Sequence, residues 1–353
     1  MTPTTRLQLD RIASSTRHAG IGRDVLIGPR IVSRDGYVLA VRILNDKSTY
    51  NQLEIPTGRL VRLRAGDTLA GVLGTRRALR GYAGVVPEAL EPGDTVHVLN
   101  MGGVLGHCTA GNPDLGPPFE AEVLGAVLTF PPTGDRIGRP ASIRAEALEP
   151  AERLTARVPV VYVAGTCMNS GKTVAAAELV RGLSRAGLRV GGVKLTGVSL
   201  RRDALAMEDA GAVAGLSFDD AGVVSTREDD VLPVARALLN HLAATAKPDV
   251  VVAELGDGIL GEYGVGKILA DRELMELCAA LIVAAPDQVG AWGAHRVLDE
   301  RFGLAVSAIT GPATDNEVGT RFVRETLGIP AHNARREPEA LVALVREALR
   351  AWR

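Results

Sequence analysis

The chain has little of what would bind it to an extracellular setting, a membrane or a nucleic acid. Aromatic residues make up only 3% of its 353 positions, so its interior must be aliphatic. Three cysteines, Cys108, Cys167 and Cys278, lie far apart with no CxxC spacing. That argues against a disulfide framework and a structural zinc site, and it suits a reducing, cytoplasmic location. No run of about 18 uninterrupted apolar residues occurs, and the first twenty residues hold no apolar core of signal-peptide length, so membrane insertion and secretion are not expected. Charge of neither sign is in excess: 40 Lys and Arg stand against 41 Asp and Glu. There is therefore no bulk pull toward nucleic acid or an anionic membrane, and the expected partners are small molecules.

What is present is a hydrophobic content of 46%, enough for a large core, in a length that suits two domains. Residues 1–145 read as short β-branched runs broken by turn residues, among them "DVLIGPRIVS", "YVLAVRIL", "DTVHVLN" and "AEVLGAVLTF". This pattern predicts a β-rich domain, either a barrel or a sandwich. A proline- and charge-rich stretch from Pro131 onward, narrowing to a linker at 146–157, follows as a linker or docking segment. Over 158–353, apolar strands such as "VPVVYVAG", "LRVGGVKL", "PDVVVAEL" and "AALIVAAP" alternate with helical stretches, which predicts a parallel, doubly wound α/β sheet.

The first of those strands runs into "GTCMNSGKT". A phosphate-binding loop needs exposed backbone N–H groups, glycines that let the chain turn tightly against an anion, and a helix N-terminus aimed at the charge. Gly165, Thr166, Asn169, Ser170 and Gly171 would line such a loop. Lys172 would neutralise the β and γ phosphates, and the Thr173 hydroxyl would ligate Mg²⁺. Five residues separate the two glycines, one more than usual.

That longer loop resembles dethiobiotin synthetase, whose loop has the form GTxTxxGKT. In that family a lysine follows the second strand, an aspartate in a D-A-L context opens the next helix, and a glutamate ends the third strand. Lys194 in "GGVKLTG", Asp203 in "RRDALAM" and Glu254 in "VVVAELGDG" occur in that order. The resemblance implies that Thr173, Asp203 and Glu254 gather the metal, that Lys194 faces the substrate and the transferring phosphoryl group, and that the enzyme is a homodimer. Elementary chemistry agrees in part, because Mg²⁺ takes hard oxygen ligands and ligands of open α/β sheets bind at the carboxyl ends of the strands. A helix cap is the plain alternative for Asp203, and a turn role is the alternative for Asp257, the further catalytic candidate.

Residues 158–335 also resemble the C-terminal P-loop domain of the D-glutamate N-acetyltransferase family, through Glu254, Asp257, Gly258, Ile259 and Leu260. A third resemblance, to the molybdopterin-guanine dinucleotide accessory protein, departs at Leu195, where that family has histidine. Asn316 in "TGPATDNEVG" resembles the late loop that holds the base, and is a candidate adenine contact or an exposed turn. In "GAWGAHRVLDE", Trp292 and His295 stand at helical spacing, and His107 beside Cys108 is a weak candidate for a nucleophile pair.

The expected function is an ATP- and Mg²⁺-dependent enzyme that phosphorylates a small-molecule carboxylate or carbamate, activating it for amide formation or cyclisation. Two alternatives stand beside it. One is a CoA-dependent N-acyltransferase acting on an amino acid, with Arg201 and Arg202 as the basic pair for the 3′-phosphate. The other is a nucleotide-switched accessory or chaperone protein.

Overall fold

A computed structural model describes residues 4–78, 81–130 and 138–352. Pro131 and Pro132, which begin the expected linker stretch, lie outside the described residues. Two compact units divide the chain: Met1–Leu148 with Val198–Arg201 and Asp219–Ser225 form the first, and Glu149–Gly197, Arg202–Phe218 and Thr226–Arg353 form the second.

The first unit is built from β1 (Thr5–Gln8), β2 (Arg11–Ile12), β3 (Asp24–Gly28), β4 (Val38–Ile43), β5 (Gln52–Glu54), β6 (Leu60–Arg62), β7 (Thr68–Leu73), β8 (Tyr82–Val85), β9 (Thr95–Val98), β10 (Val104–Gly111), β11 (Phe119–Thr129) and β12 (Arg139–Pro140). Pairing runs from β11 to β4, β7, β10, β9 and back to β11, so these five strands close into a barrel. The period-2 pattern explains why: Leu39, Val41 and Ile43 of β4 share one core with Leu69, Leu73, Val96, Val98, Leu105, Phe119, Ala121 and Val123. The intervening Val38, Ala40, Ala70, Val72 and Val104 face a second apolar cluster. Closure removes the sheet edges that a flat array of these strands would leave open.

The division is not one of simple chain order. Val198–Arg201 belongs to the first unit because Asn100 Nδ2 donates to Ser199 O at 2.8 Å, Ser199 N to Val224 O at 2.8 Å, and Arg201 N to Glu54 Oε1 at 2.7 Å. Asp219–Ser225 is held there by Arg17, which lies 2.6 Å from Asp220 and 3.3 Å from Asp219, and by Val224 in the core. Contacts of this kind, which reach from Glu54 to Arg201 and from Arg17 to Asp220, leave no local pattern in a sequence.

The second unit carries β13 (Val160–Gly165), β14 (Val190–Thr196), β15 (Ala214–Ser217), β16 (Val250–Leu255), β17 (Cys278–Ala284) and β18 (Ala308–Thr310). They form one parallel sheet in the order β15-β14-β16-β13-β17-β18. Its helices are α1 (Lys172–Arg185), α2 (Arg202–Asp209), α3 (Val231–Thr245), α4 (Val265–Ala270), α5 (Arg272–Glu276), α6 (Gln288–Phe302), α7 (Glu317–Arg321) and α8 (Pro338–Ala351). Helices cover both faces: a Cβ on Gly191 would meet Leu242 of α3, and one on the next residue, Gly192, would meet Met207 of α2. The expected parallel α/β architecture is therefore the one observed. The edge strand β15, "AGLS", has no apolar run to announce it.

Residues 149–157 dock onto the second unit instead of spanning freely. Thr155 N and Ala156 N donate to Asn240 Oδ1 of α3 at 2.7 and 2.9 Å, and Leu154 and Ala156 are buried.

Candidate functional site

The strand-to-helix turn after β13 forms from residues that tolerate unusual backbone. Asn169 has φ 60 and Gly171, the N-cap of α1, has φ 104. The second value favours glycine, since a side chain there would clash with its own backbone. Neighbouring loops press on both ends of the turn. A Cβ on Gly258 would run into Thr166 O, and one on Gly311 into Ser170 O. Thr166 N donates to Ala284 O at 3.2 Å, and Ile259 N to Gly165 O at 2.9 Å. The loop therefore sits at the carboxyl end of the central strand with the loops after β16 and β18 against it, where open α/β sheets place ligands.

Five charged side chains proposed from the sequence meet here. Lys172, Lys194, Asp203, Glu254 and Asp257 are all buried. Lys172 Nζ donates to Cys167 O at 2.8 Å, and Thr173 Oγ1 to Glu254 Oε1 at 3.0 Å. Lys194 donates to Asp203 Oδ2 in a buried ion pair. Asp203, in the first turn of α2, thus accepts from Lys194 through Oδ2. Asp257 holds a left-handed backbone, φ 70, uncommon for a residue with a Cβ.

Burial and charge work against each other in this cluster. Burial lowers the Lys172 ammonium from its ordinary 10.5, while Glu254 and Asp257 pull it back up. Burial also opposes the charge on Lys194, but Asp203, then Glu254, outweigh it and raise its pKa. Asp203 is held below 3.8: burial resists, and Lys194 wins. Burial and then the negative charge of Asp203 push Glu254 above 4.5.

Two atoms have no partner. Ser170 Oγ and Glu254 Oε2 are buried without a hydrogen bond, in residues 0% and 2% exposed. An orphaned buried polar atom costs about 1–3 kcal/mol, so two beside paired lysines suit a bound polar group. The residues fit a phosphate chain with its metal: oxygen donors at Thr173 and Glu254, ammonium groups at Lys172 and Lys194, and a glycine-lined turn. Among the described residues, no group of three or more His, Cys, Asp or Glu side chains could hold a metal, so phosphate oxygens and water would complete the shell of a bound Mg²⁺.

Other expectations fare differently. Asn316 is the N-cap of α7, its side-chain oxygen accepting from Gly319 N at 3.1 Å. Arg201 donates to Pro56 O within the first unit, and Arg202 lies 3.8 Å from Asp203 in the second. His107 is engaged elsewhere than with Cys108: its ring meets that of His97 edge to face, 5.5 Å between centroids, and Cys108 N donates to His97 Nδ1. Burial raises the Cys108 thiol, contrary to what a nucleophile needs. Trp292 on α6 is exposed, not packed, and Leu195 is buried in β14. One residue the sequence reading missed is Asn333, a buried amide that bonds the loop after β18.

No protein-family model matches the chain, and no curated protein does. Solved structures do show similarity. A DUF1611 family protein from Anabaena variabilis matches over 57% of this chain and 63% of that one, with 15% identity and a TM-score of 0.39. The matched region thus spans less than two thirds of that protein. The signal recognition particle receptor FtsY from Elizabethkingia anophelis matches over 58% and 68%, with 12% identity and a TM-score of 0.39. The cell division protein FtsY from Thermotoga maritima matches over 55% and 71%, with 15% identity and a TM-score of 0.35. Similarity this remote says nothing of ligand or activity, which rest on the side chains above.

Proposed function

We propose that the second unit binds a nucleoside triphosphate with Mg²⁺ and moves its terminal phosphoryl group onto an oxygen of a small-molecule carboxylate or carbamate. The observation that carries the reading is a pair of buried polar atoms without partners, in one cluster with Lys172 and Lys194: the Ser170 hydroxyl, which can donate to a phosphate oxygen, and the carboxylate oxygen Glu254 Oε2, which can face a cation. ATP and the carboxylate or carbamate acceptor follow the resemblance of "GTCMNSGKT", Lys194, Asp203 and Glu254 to dethiobiotin synthetase.

Each residue has a task in this account. Lys172, which donates to a loop carbonyl, turns its ammonium to phosphate oxygens, which are stronger acceptors. Asp257 and Glu254 keep that ammonium charged against burial. Lys194 offsets the charge that builds on the transferred group, and Asp203 holds it protonated and in place. Thr173 and Glu254 are the metal side of the site. Mg²⁺, when bound, supplies positive charge to the phosphates.

The test is phosphate release from ATP and from GTP in the presence of Mg²⁺. Lys172→Ala is expected to lower turnover by about 10²–10³-fold with the thermal transition retained. Undiminished turnover in that variant contradicts the proposal.

A further inference from the structure

Past β18 the chain doubles back beside the strand: Ile309 N donates to Pro330 O at 2.9 Å, His332 N to Ile309 O at 3.1 Å, and Ala334 N to Thr310 Oγ1 at 3.0 Å. This brings Asn333, 4% exposed, under the loop of residues 311–316. Its two ends do separate things. Nδ2 donates to Asp315 Oδ1 at 2.8 Å, Thr314 Oγ1 at 3.2 Å and Gly311 O at 3.3 Å. Oδ1 accepts from Arg335 N at 3.0 Å and Arg336 N at 3.1 Å, fixing the turn before α8. A second tie runs from the Arg336 guanidinium to Asp315 O.

The sheet order gives the loop its meaning. Lys194 on β14 and Glu254 on β16 lie to one side of the central strand β13, and the 311–316 loop follows β18 on the other. The charged residues mark the end where the terminal phosphate is handled. The far side, where Gly311 and Pro312 adjoin Gly171, is left for the rest of the ligand. Asp315 is exposed there, and its carboxylate can only accept, so it suits the hydroxyl or N–H donors of a sugar or base.

We propose that Asn333 is the positioning residue for the nucleoside end of the ligand, holding the 311–316 loop as the wall against which sugar and base lie. The proposal rests on the nucleotide reading, and one experiment separates the two. Affinities of the full chain for ATP, GTP and inorganic tripolyphosphate, each with Mg²⁺, are measured for the wild type, Asn333→Ala and Asn333→Asp. Asn333→Asp keeps the acceptor for Arg335 and Arg336 and removes the donor to the loop. The expected result in both variants is a loss of about tenfold or more for ATP or GTP, with tripolyphosphate binding within about twofold of wild type. Equal losses for all three ligands, or no loss, overturn the proposal. If the Asn333 variants do not fold, Arg336→Ala, which cuts the second tie to the loop at an exposed side chain, must show the same selective loss. A wild type that binds ATP and GTP no better than tripolyphosphate sinks the proposal and leaves phosphate binding standing. A wild type that binds none of the three sinks both.

Discussion

Each unit buries a lysine, and the company each lysine keeps is different. In the first unit Lys47 Nζ donates to Tyr82 Oη at 2.9 Å, Leu115 O at 3.0 Å and Pro117 O, and lies 5.3 Å from the Tyr82 ring centroid and 5.8 Å from that of Phe119. Neutral acceptors use all three of its protons, and burial lowers its pKa. Tyr82 adds its own bond to Gly116 O at 3.0 Å, and burial raises its phenol to about 12. In the second unit Lys194 sits against Asp203 and near Glu254, and its pKa rises in spite of burial. A lysine saturated by carbonyls pins a loop. A lysine among carboxylates, beside the unpartnered Glu254 Oε2, is the arrangement on which the proposed phosphate site rests.

Glu254→Gln removes the negative charge on the metal side, and the Mg²⁺ concentration for half-maximal turnover should rise by about 10–100-fold. A Mg²⁺ titration with an unchanged midpoint would take Glu254 out of the site. Lys47→Met should lower the unfolding free energy by about 1–3 kcal/mol by leaving carbonyls unpaired, with nucleotide affinity unaltered. If denaturant melts show no loss while affinity falls, Lys47 belongs to the binding machinery and the contrast fails.

The smallest effect concerns pH. Asp203 has a folded pKa below its ordinary 3.8, so its contribution to stability is complete above that value and declines as pH falls through the folded value. Lys194 has a folded pKa above 10.5, so its contribution is complete below 10.5 and declines as pH rises through the folded value. Between those limits the wild type should exceed Asp203→Asn in stability by a constant margin, and the margin should shrink at both extremes. A margin that ignores pH would show that the ion pair contributes nothing.

Much of this was legible in the sequence, and the remainder has a physical reason for being hidden. Apolar runs flanking Gly165 and Gly171-Lys172-Thr173 mark β13, the turn and α1, because strand, tight turn and helix each impose a local pattern. Lys194, Asp203 and Glu254 were named through the resemblance to dethiobiotin synthetase, and they lie toward the ends of β14 and β16 and at the start of α2, elements that are locally encoded. The choice between barrel and sandwich was not, since it depends on β9 pairing with both β10 and β11. That Asn316 caps α7 was not legible either, because an amide in a turn looks the same whether or not it caps a helix. Asn333 left no trace, since its partners at 311, 314 and 315 lie some twenty residues away in sequence.

The most direct test of the central claim is an equilibrium titration of the full chain with a fluorescent ATP analogue in the presence of Mg²⁺. The account predicts saturable binding at one site per chain, competed by tripolyphosphate and lost in Lys172→Ala. Saturable binding that Lys172→Ala leaves unchanged, or no saturable binding at all, would contradict it.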